Sequence, residues 1–325
     1  MRISANQRIF AFSYLLVLVL VFPSTLIAQR EQIGVRYEMW GKSEISDSSN
    51  TLSSFSVNFN ASLRSIFGEE GETLILNGFS YRYLNIIREF PQSQSPPDPL
   101  GMPTAILPSN IKTEYHLLQY DLTVLHSLSD EWTAVLALRP GIFSDFFNIT
   151  WNHFRFEAAG FADYIVSPTF TIGLGIAIQP SNFGRVLPAI PLLHILNNGN
   201  LFGKKYLLDV LLPQRADFTM YLSKPLEVGL SVALIGSSYF IGDVKNRIGS
   251  QSDRLAFANA TLSGVVRYNL FDKLYITGDA GYTLLRRYEY SVSRYKELGV
   301  DERPDATSFD LPNAYFLRAG ISILY

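Results

Sequence analysis

The chain has 325 residues, a formal net charge of -2 and no cysteine. The lack of cysteine excludes disulfide bonds, thiolate metal ligands and cysteine nucleophiles. The nearly neutral charge gives no electrostatic reason to expect a nucleic-acid partner. Aromatic residues make up 14% of the chain, yet the hydrophobic fraction is ordinary for a globular protein, so composition alone does not decide the class.

The first segment has the layout of a secretory signal peptide. Two arginines precede an apolar run over 9–22, a proline interrupts it, and the small residue Ala28 follows. The run is shorter than the roughly 20 residues that a membrane-spanning helix needs. We therefore expect residues 1–28 to be a signal peptide and 29–325 to be a single domain. The alternative is a retained N-terminal anchor helix.

The rest of the chain alternates apolar and polar residues with a period of two, which is typical of β-strands. Such alternation suits a soluble sheet with one wet face or a membrane barrel with a polar lumen. Three observations favour the barrel. Many strands exceed nine residues, the polar faces carry mostly Gly, Ser and Thr, and short turns alternate with long loops such as 88–111 and 290–312.

The predicted fold is all-β: an antiparallel, transmembrane up-and-down barrel of the outer-membrane type. Short turns would face the periplasm and longer loops the outside. The weakest strands are 186–196 and 204–212, because prolines lie in or next to them, so the count is 12–14. The predicted strands are 33–41, 52–65, 73–87, 113–127, 131–142, 153–166, 169–180, 186–196, 204–212, 215–223, 226–241, 255–270, 273–289 and 313–325.

The end of the sequence predicts a closing strand. Apolar residues recur at every second position, and the last is aromatic: Ile321, Ile323 and Tyr325. This pattern resembles the C-terminal signal of outer-membrane proteins, and the resemblance implies recognition by the barrel-assembly machinery. Pairing of the last strand with the first would remove the free sheet edges. We expect a monomer in the cell outer membrane, in contact with its lipid and lipopolysaccharide.

Charged residues on the polar faces should line the lumen. Both signs are present, which predicts either ion pairs across a narrow lumen or a weakly ion-selective lining. The predicted lining residues are Arg139, Arg155, Glu157, Asp209, Asp217, Arg267, Asp279 and Arg318. The leading hypothesis is a passive pore for small solutes, and the first alternative is a non-conducting structural or binding barrel with external loops that contact surface partners.

The second alternative is a lipid-modifying enzyme, because His116 and His153 fall near external strand ends. No histidine pair has metal-ligand spacing, and the glycines of 173–175 lie within a strand rather than in a phosphate-binding loop. The sequence therefore predicts no catalytic residue, no metal site and no cofactor. A basic and aromatic segment, 286–296, could instead contact lipopolysaccharide phosphates from an external loop, or form an extended hairpin above the membrane.

Four short motifs carry a resemblance to a known family. They are 139–146 (RPGIFSDF), 182–188 (NFGRVLP), 211–213 (LLP) and 310–312 (DLP). With them, the chain resembles an uncharacterised domain-of-unknown-function family of bacterial outer-membrane β-barrel proteins. The resemblance implies a fold and a location, and supplies no substrate or catalytic residue. In size the chain is also similar to 14-stranded porins and hydrophobic-compound transporters, although no separate N-terminal plug is evident.

Overall fold

A computed structural model describes residues 33–44, 51–68, 72–89, 110–146, 149–178, 189–240, 254–291 and 307–323. No helix in these segments is long and apolar enough to cross a membrane. The strands are β1 (Ile33–Glu44), β2 (Thr51–Phe67), β3 (Thr73–Glu89), β4 (Asn110–Ser127), β5 (Trp132–Ser144), β6 (Phe154–Ser167), β7 (Phe170–Ile178), β8 (Ala189–Leu201), β9 (Lys204–Leu212), β10 (Arg215–Tyr221), β11 (Leu226–Phe240), β12 (Arg254–Phe271), β13 (Leu274–Ser291), β14 (Thr307–Asp310) and β15 (Tyr315–Ile323).

The strands form one closed antiparallel barrel in which neighbours along the chain are also neighbours in space. β1 pairs with β15, and β15 pairs with β13, so the last strand closes the sheet onto the first. The short β14 pairs only with the far end of β13 and continues the line of β15. The wall therefore has 14 strands, as the alternation predicts, and the two strands predicted least strongly because of prolines are both formed, as β8 and β9.

The two ends of the barrel differ in their connections. At one end, the turn end, connections between strands are two to five residues long. At the other, the loop end, connections between paired strands are six to 20 residues long, except for the two-residue turn between β9 and β10; a four-residue link joins β14 to β15. At the turn end, Phe202 and Gly203 both have positive φ, 51° and 72°. Positive φ at both central residues is the geometry of a tight hairpin turn that matches the strand twist.

The height of the wall is uneven. β12 and β13 each have 18 residues, whereas β9 and β10 have nine and seven. β10 begins at Arg215, opposite Ala233 of β11, so the last seven residues of β11 extend beyond the β9–β10 hairpin. There β11 pairs with β12 on one side and, on the other, only its last residue, Phe240, pairs with β5. The predicted signal peptide, 1–28, lies outside the described residues.

The two faces of the wall differ in chemistry. Along β15, outward Tyr315, Leu317 and Ile321 are 76%, 53% and 50% exposed, whereas inward Phe316 and Ser322 are buried. The same alternation holds on β12, where outward Leu262 and Val266 are exposed and inward Thr261 and Ser263 are buried. The barrel thus has an apolar exterior, while its interior carries both polar side chains and two buried apolar clusters.

The barrel interior as the candidate functional site

All eight charged residues predicted to line the lumen lie on the inward face. Arg139, Glu157 and Asp209 are less than 10% exposed. Arg155 lies with its guanidinium carbon 5.1 Å from the centre of the Phe143 ring, a cation–π contact. The remaining inward residues of the set are Asp217, Arg267, Asp279 and Arg318, which pair with other lumen residues.

One polar network joins inward side chains of five strands, β6, β8, β9, β10 and β11. His194 Nδ1 is 2.8 Å from Asp163 Oδ1, and its Nε2 lies 3.6 Å from Asp209 Oδ1. Arg215 then donates to both Asp209 and Asp217, each at 2.7 Å. The network ends where the Ser231 hydroxyl donates to Asp217 at 2.5 Å. The sequence predicted Asp209 and Asp217 in the lumen but not that a histidine would join them.

Other pairs tie neighbouring strands together. Arg139 Nε is 3.1 Å from Asp121 Oδ1, and both side chains are less than 10% exposed. At the turn end, Arg267 donates to Glu227 at 2.8 Å. These short contacts supply the pairing that buried charges require.

Arg318 is held by two carboxylates of adjacent strands. It lies 3.2 Å from Glu38 and 3.0 Å from Asp279. Its guanidinium carbon is also 4.4 Å from the Phe316 ring centre and 5.7 Å from that of Trp40. Both charge pairing and aromatic contact therefore fix this arginine against the inner wall.

An apolar cluster, which we call the seal, fills the interior near the loop end. Its centre is Tyr239 of β11, whose ring lies 5.2 Å from that of Tyr115 on β4, 6.3 Å from Phe143 and 6.2 Å from Phe257. Tyr115 and Tyr239 are fully buried. The members are Leu52, Leu84, Ile86, Tyr115, Phe143, Tyr239, Leu255, Phe257 and Leu311. Side chains from opposite walls thus meet across the lumen.

The backbone explains why the opposite walls can meet. β11 has no β10 neighbour beyond Ala233, and its last residue, Phe240, pairs in parallel with Ser144 at the end of β5. β5 and β11 are separated by five strands along the sheet. The loop end of β11 therefore crosses above the short β9–β10 hairpin to contact β5. This contact brings Tyr239 within reach of Tyr115 and Phe143.

A small cavity, with room for about one water molecule, lies beside the seal. Polar and apolar side chains share its wall. They are Glu38, Trp40, Ser54, Ser56, Arg82, Leu84, Ile235, Phe257 and Asn259. Strands β1–β3 contribute one side of the cavity and β11–β12 the other. Arg82 is not among the lumen residues that the sequence pattern predicts.

The position of Arg286 departs most clearly from the sequence-based prediction. The sequence placed it with an external basic segment, but it lies on β13, faces inward and is 1% exposed. The cause is a register shift between Ala260 and Thr261 of β12, which leaves one extra residue on β13 at Leu284. An extra residue reverses the alternation beyond it, so Arg286 faces inward. Residues 292–296 of the predicted segment lie outside the described residues.

The histidines considered for catalysis have local partners. His116 is on the outward face of β4, where its Nδ1 lies 2.8 Å from the Tyr81 hydroxyl and its ring stacks on Phe146 at 4.8 Å. His153 ends a single 3₁₀ turn and accepts from the backbone N–H of Thr150 at 2.8 Å. Within the described segments, no group of three or more His, Asp or Glu side chains is arranged to hold a metal ion.

The predicted assembly signal lies on the closing strand. Ile321 points outward and is half exposed, and Ile323 pairs with Ile33 of β1 and Leu274 of β13. Tyr325 lies outside the described residues. The strand that bears the signal is thus the one that closes the barrel.

The family model for a domain of unknown function, DUF6268, matches residues 104–323. The chain belongs to this family. The match runs from the segment before β4 to the end of β15, and thus covers the seal residues Tyr115, Phe143 and Tyr239. Two of the motifs noted in the sequence also contribute to the seal, through Phe143 and Leu311. Membership in DUF6268 assigns no activity.

No curated protein matches the sequence. Among solved structures, an outer-membrane channel from Pseudomonas putida F1 is similar, with 8% identity and a TM-score of 0.42 over 94% of this chain and 100% of that chain. The P. putida toluene transporter TodX has 8% identity and a TM-score of 0.36, over 95% and 94% of the two chains. The NanC porin has 8% identity and a TM-score of 0.35, over 90% and 100%. At these values the fold assignment rests on the chain's own strand pairing.

Proposed function

We propose that the protein is an outer-membrane channel for small solutes that rests with its external mouth closed. The observation that carries the proposal is the contrast along the lumen. The rest of the interior carries ion pairs beside a second apolar cluster on β5–β9, whereas the loop end is spanned by side-chain contacts between Tyr239 and the opposite wall. A hydrophobic constriction of this kind can gate a pore by excluding water.

The exterior supports a membrane location. Outward aromatic pairs lie near both ends of the wall, as in the girdles that flank the apolar band of membrane barrels. Trp132 and Tyr164 are 4.9 Å apart near the turn end, and Trp151 and Phe154 are 5.1 Å apart near the loop end. Outer-membrane barrels place short turns in the periplasm. On that rule the seal faces the outside of the cell.

Conductance in planar bilayers tests the proposal. The wild-type protein should conduct rarely, because the seal excludes water from the mouth. The double variant Tyr115→Ala, Tyr239→Ala should conduct steadily, because it removes the two rings that meet at the centre of the seal. Tyr268→Ala is a matched control, since Tyr268 is 46% exposed on the outer face. It should behave as wild type.

Two results would contradict a gated channel. If the double variant folds but never conducts at any voltage, the barrel is not a pore. If wild type and the double variant conduct equally, the seal is not a gate.

A non-conducting barrel is the second candidate. The observation that favours it is the backbone pairing of Phe240 with Ser144 across the lumen. A hydrogen-bonded contact between opposite walls is harder to open than a side-chain contact alone. In this case, the loops would carry the function through surface partners, and the double variant would stay silent.

A further inference from the structure

The rim at the turn end of the barrel is divided by charge. Three consecutive turns, between β8 and β9, β10 and β11, and β12 and β13, form one side of the rim, which we call the basic arc. Among the described residues of this arc, Asp272 is an exposed carboxylate and Glu227 is bound to Arg267. The exposed lysines of the arc are Lys204, Lys205, Lys224 and Lys273. The basic arc therefore has an excess of positive charge.

The opposite side of the rim, which we call the acidic arc, has the reverse charge. Its turns, between β2 and β3 and between β4 and β5, present the exposed carboxylates Glu72, Asp130 and Glu131. The two turns are adjacent, because the backbone N–H of Ser127 donates to the Glu72 carbonyl oxygen at 2.8 Å. Arg64, near the end of β2, offsets part of this charge. The rim thus has two sides of opposite sign rather than an even mixture.

The basic arc also exposes apolar side chains. Phe202, in the turn between β8 and β9, is 89% exposed, and Phe271, at the end of β12, is 75% exposed. Leu201 and Leu270 beside them are exposed as well. Phenyl rings next to lysines are typical of a surface at a membrane interface, where rings enter the acyl region and ammonium groups stay among the headgroups.

The height of the wall places the basic arc at the headgroups. β9 has nine residues and, at the usual strand tilt, rises roughly 23 Å. The apolar band of an outer-membrane barrel is about 25 Å tall. Both ends of β9 therefore lie at the membrane surface, including Lys204, its first residue. Lys224 follows β10, which pairs with β9 along its whole length, so it lies on the same side of the barrel.

We propose that the basic arc binds the anionic headgroups of phospholipids through Lys204, Lys224 and Lys273, with Phe202 and Phe271 among the adjoining acyl chains. The inference rests on the membrane location in the proposed function, although headgroup binding does not require conduction. Lysines near a membrane surface attract anionic lipids, and the carboxylates of the acidic arc repel them. Lipids around the turn end would therefore be sorted by charge, with anionic headgroups on one side and zwitterionic headgroups on the other.

Quenching of tryptophan fluorescence by brominated lipids measures which lipid lies beside each arc. The reporter of the basic arc is Phe202→Trp in the background Trp132→Phe, Trp151→Phe. The reporter of the acidic arc is the natural Trp132, which follows Glu131 and is 45% exposed, in the background Trp151→Phe. Trp40 faces the lumen and is 5% exposed, so it adds the same unquenched background to both.

Each folded barrel is reconstituted into phosphatidylcholine vesicles in which a small fraction of the lipid is brominated, as either phosphatidylglycerol or phosphatidylcholine. At low salt, the phosphatidylglycerol should quench the Phe202→Trp reporter as if it were about fivefold more abundant, the ratio that corresponds to about 1 kcal/mol for one lysine. The Trp132 reporter should show no such preference. High salt should remove the preference, because it screens exposed charges.

Charge variants assign the contact. In the Phe202→Trp reporter, the triple variant Lys204→Gln, Lys224→Gln, Lys273→Gln should be quenched equally by the two lipids. The matched control is Glu72→Gln, Glu131→Gln in the same reporter. It removes charges from the acidic arc only and should leave the preference for phosphatidylglycerol unchanged.

Equal quenching of the Phe202→Trp reporter by the two lipids would overturn the proposal and favour an acidic protein as the partner of this arc. A preference that persists in the triple lysine variant would also overturn it. The comparison of the two reporters needs no lysine variant, so it decides the question even if the triple variant fails to fold. Absence of quenching by either lipid at both reporters would contradict the membrane location itself. A preference for phosphatidylglycerol in a barrel that never conducts would refute the channel and leave the lipid-binding surface.

Discussion

Two arginines on adjacent strands of the barrel show two different states of a buried charge. Arg318 has two carboxylate partners within 3.2 Å, whereas Arg286 donates to the Ser43 hydroxyl and has no charged partner among the described residues. Removing one partner from a buried ion pair leaves an uncompensated charge. Removing an arginine that has no charged partner leaves no uncompensated charge behind. The same substitution should therefore have opposite consequences at the two positions.

Arg318→Met should destabilise the folded barrel by about 3–5 kcal/mol, because Glu38 and Asp279 lose their shared cation. Arg286→Met should leave stability unchanged or raise it, because a buried charge without a carboxylate is replaced by an apolar chain of similar length. The measurement is the temperature at which the folded form disappears on an unboiled gel. A loss of stability in Arg286→Met as large as in Arg318→Met would show that Arg286 is structural.

At the scale of the strand, two glycines of β7 allow this strand to lie close to inward side chains of the neighbouring strand β6. A Cβ on Gly173 would lie 1.9 Å from Asp163 Oδ1, and one on Gly175 would lie 2.2 Å from the Phe161 Cβ. These glycines lie within a strand, as the sequence predicts, and a side chain at either one would collide with β6. The Asp163 carboxylate has little freedom to move away, because it is hydrogen-bonded to His194.

Gly173→Ala should destabilise the barrel by about 1–3 kcal/mol, since an added methyl group forces the Asp163–His194 contact apart. Gly264→Ala is the matched control, because a Cβ on Gly264 would meet no atom within 4 Å. Urea unfolding, followed by tryptophan fluorescence, measures both. If the two variants unfold at the same urea concentration, the crowding argument at β7 is wrong.

Alternation predicted the strands well because it depends only on nearest neighbours along the chain. It located β12 and β13 and assigned both faces up to Thr283 and Leu284. It failed at Arg286, since the extra residue at Leu284 is set by pairing with another strand. Thr283 is fixed there by Ala314, whose backbone N–H donates to the Thr283 hydroxyl at 2.6 Å. No local pattern in β13 encodes that partner.

At the scale of the whole molecule, the closure of the barrel was predictable and the closure of the lumen was not. The first follows from the even number of strands and the need to pair both edges. The second depends on Tyr115 and Tyr239, which lie far apart in sequence and on opposite walls. It also depends on the short length of β10, which begins only at Arg215 and so leaves the loop end of β11 free to reach β5. A round barrel with the same alternation would have no such contact.

The orientation in the membrane can be tested because the natural chain has no cysteine. Ile149→Cys lies at the loop end and Lys224→Cys at the turn end, and both positions are exposed. On intact cells, a membrane-impermeant maleimide should label the first and reach the second only after the outer membrane is permeabilised. The reverse pattern would contradict the orientation, and labelling of both in a soluble fraction would contradict a membrane location.

The short β9–β10 hairpin has a consequence for the surrounding lipid. A tilted strand of seven residues, the length of β10, rises roughly 18 Å. The apolar band of an outer-membrane barrel is about 25 Å tall. On this side, acyl chains would have to shorten or bend to keep headgroups level with the turn at 213–214, at a cost that grows with each ångström of mismatch. We therefore expect the membrane around the barrel to be thinnest beside β10, so that shorter-chain lipids collect along one flank.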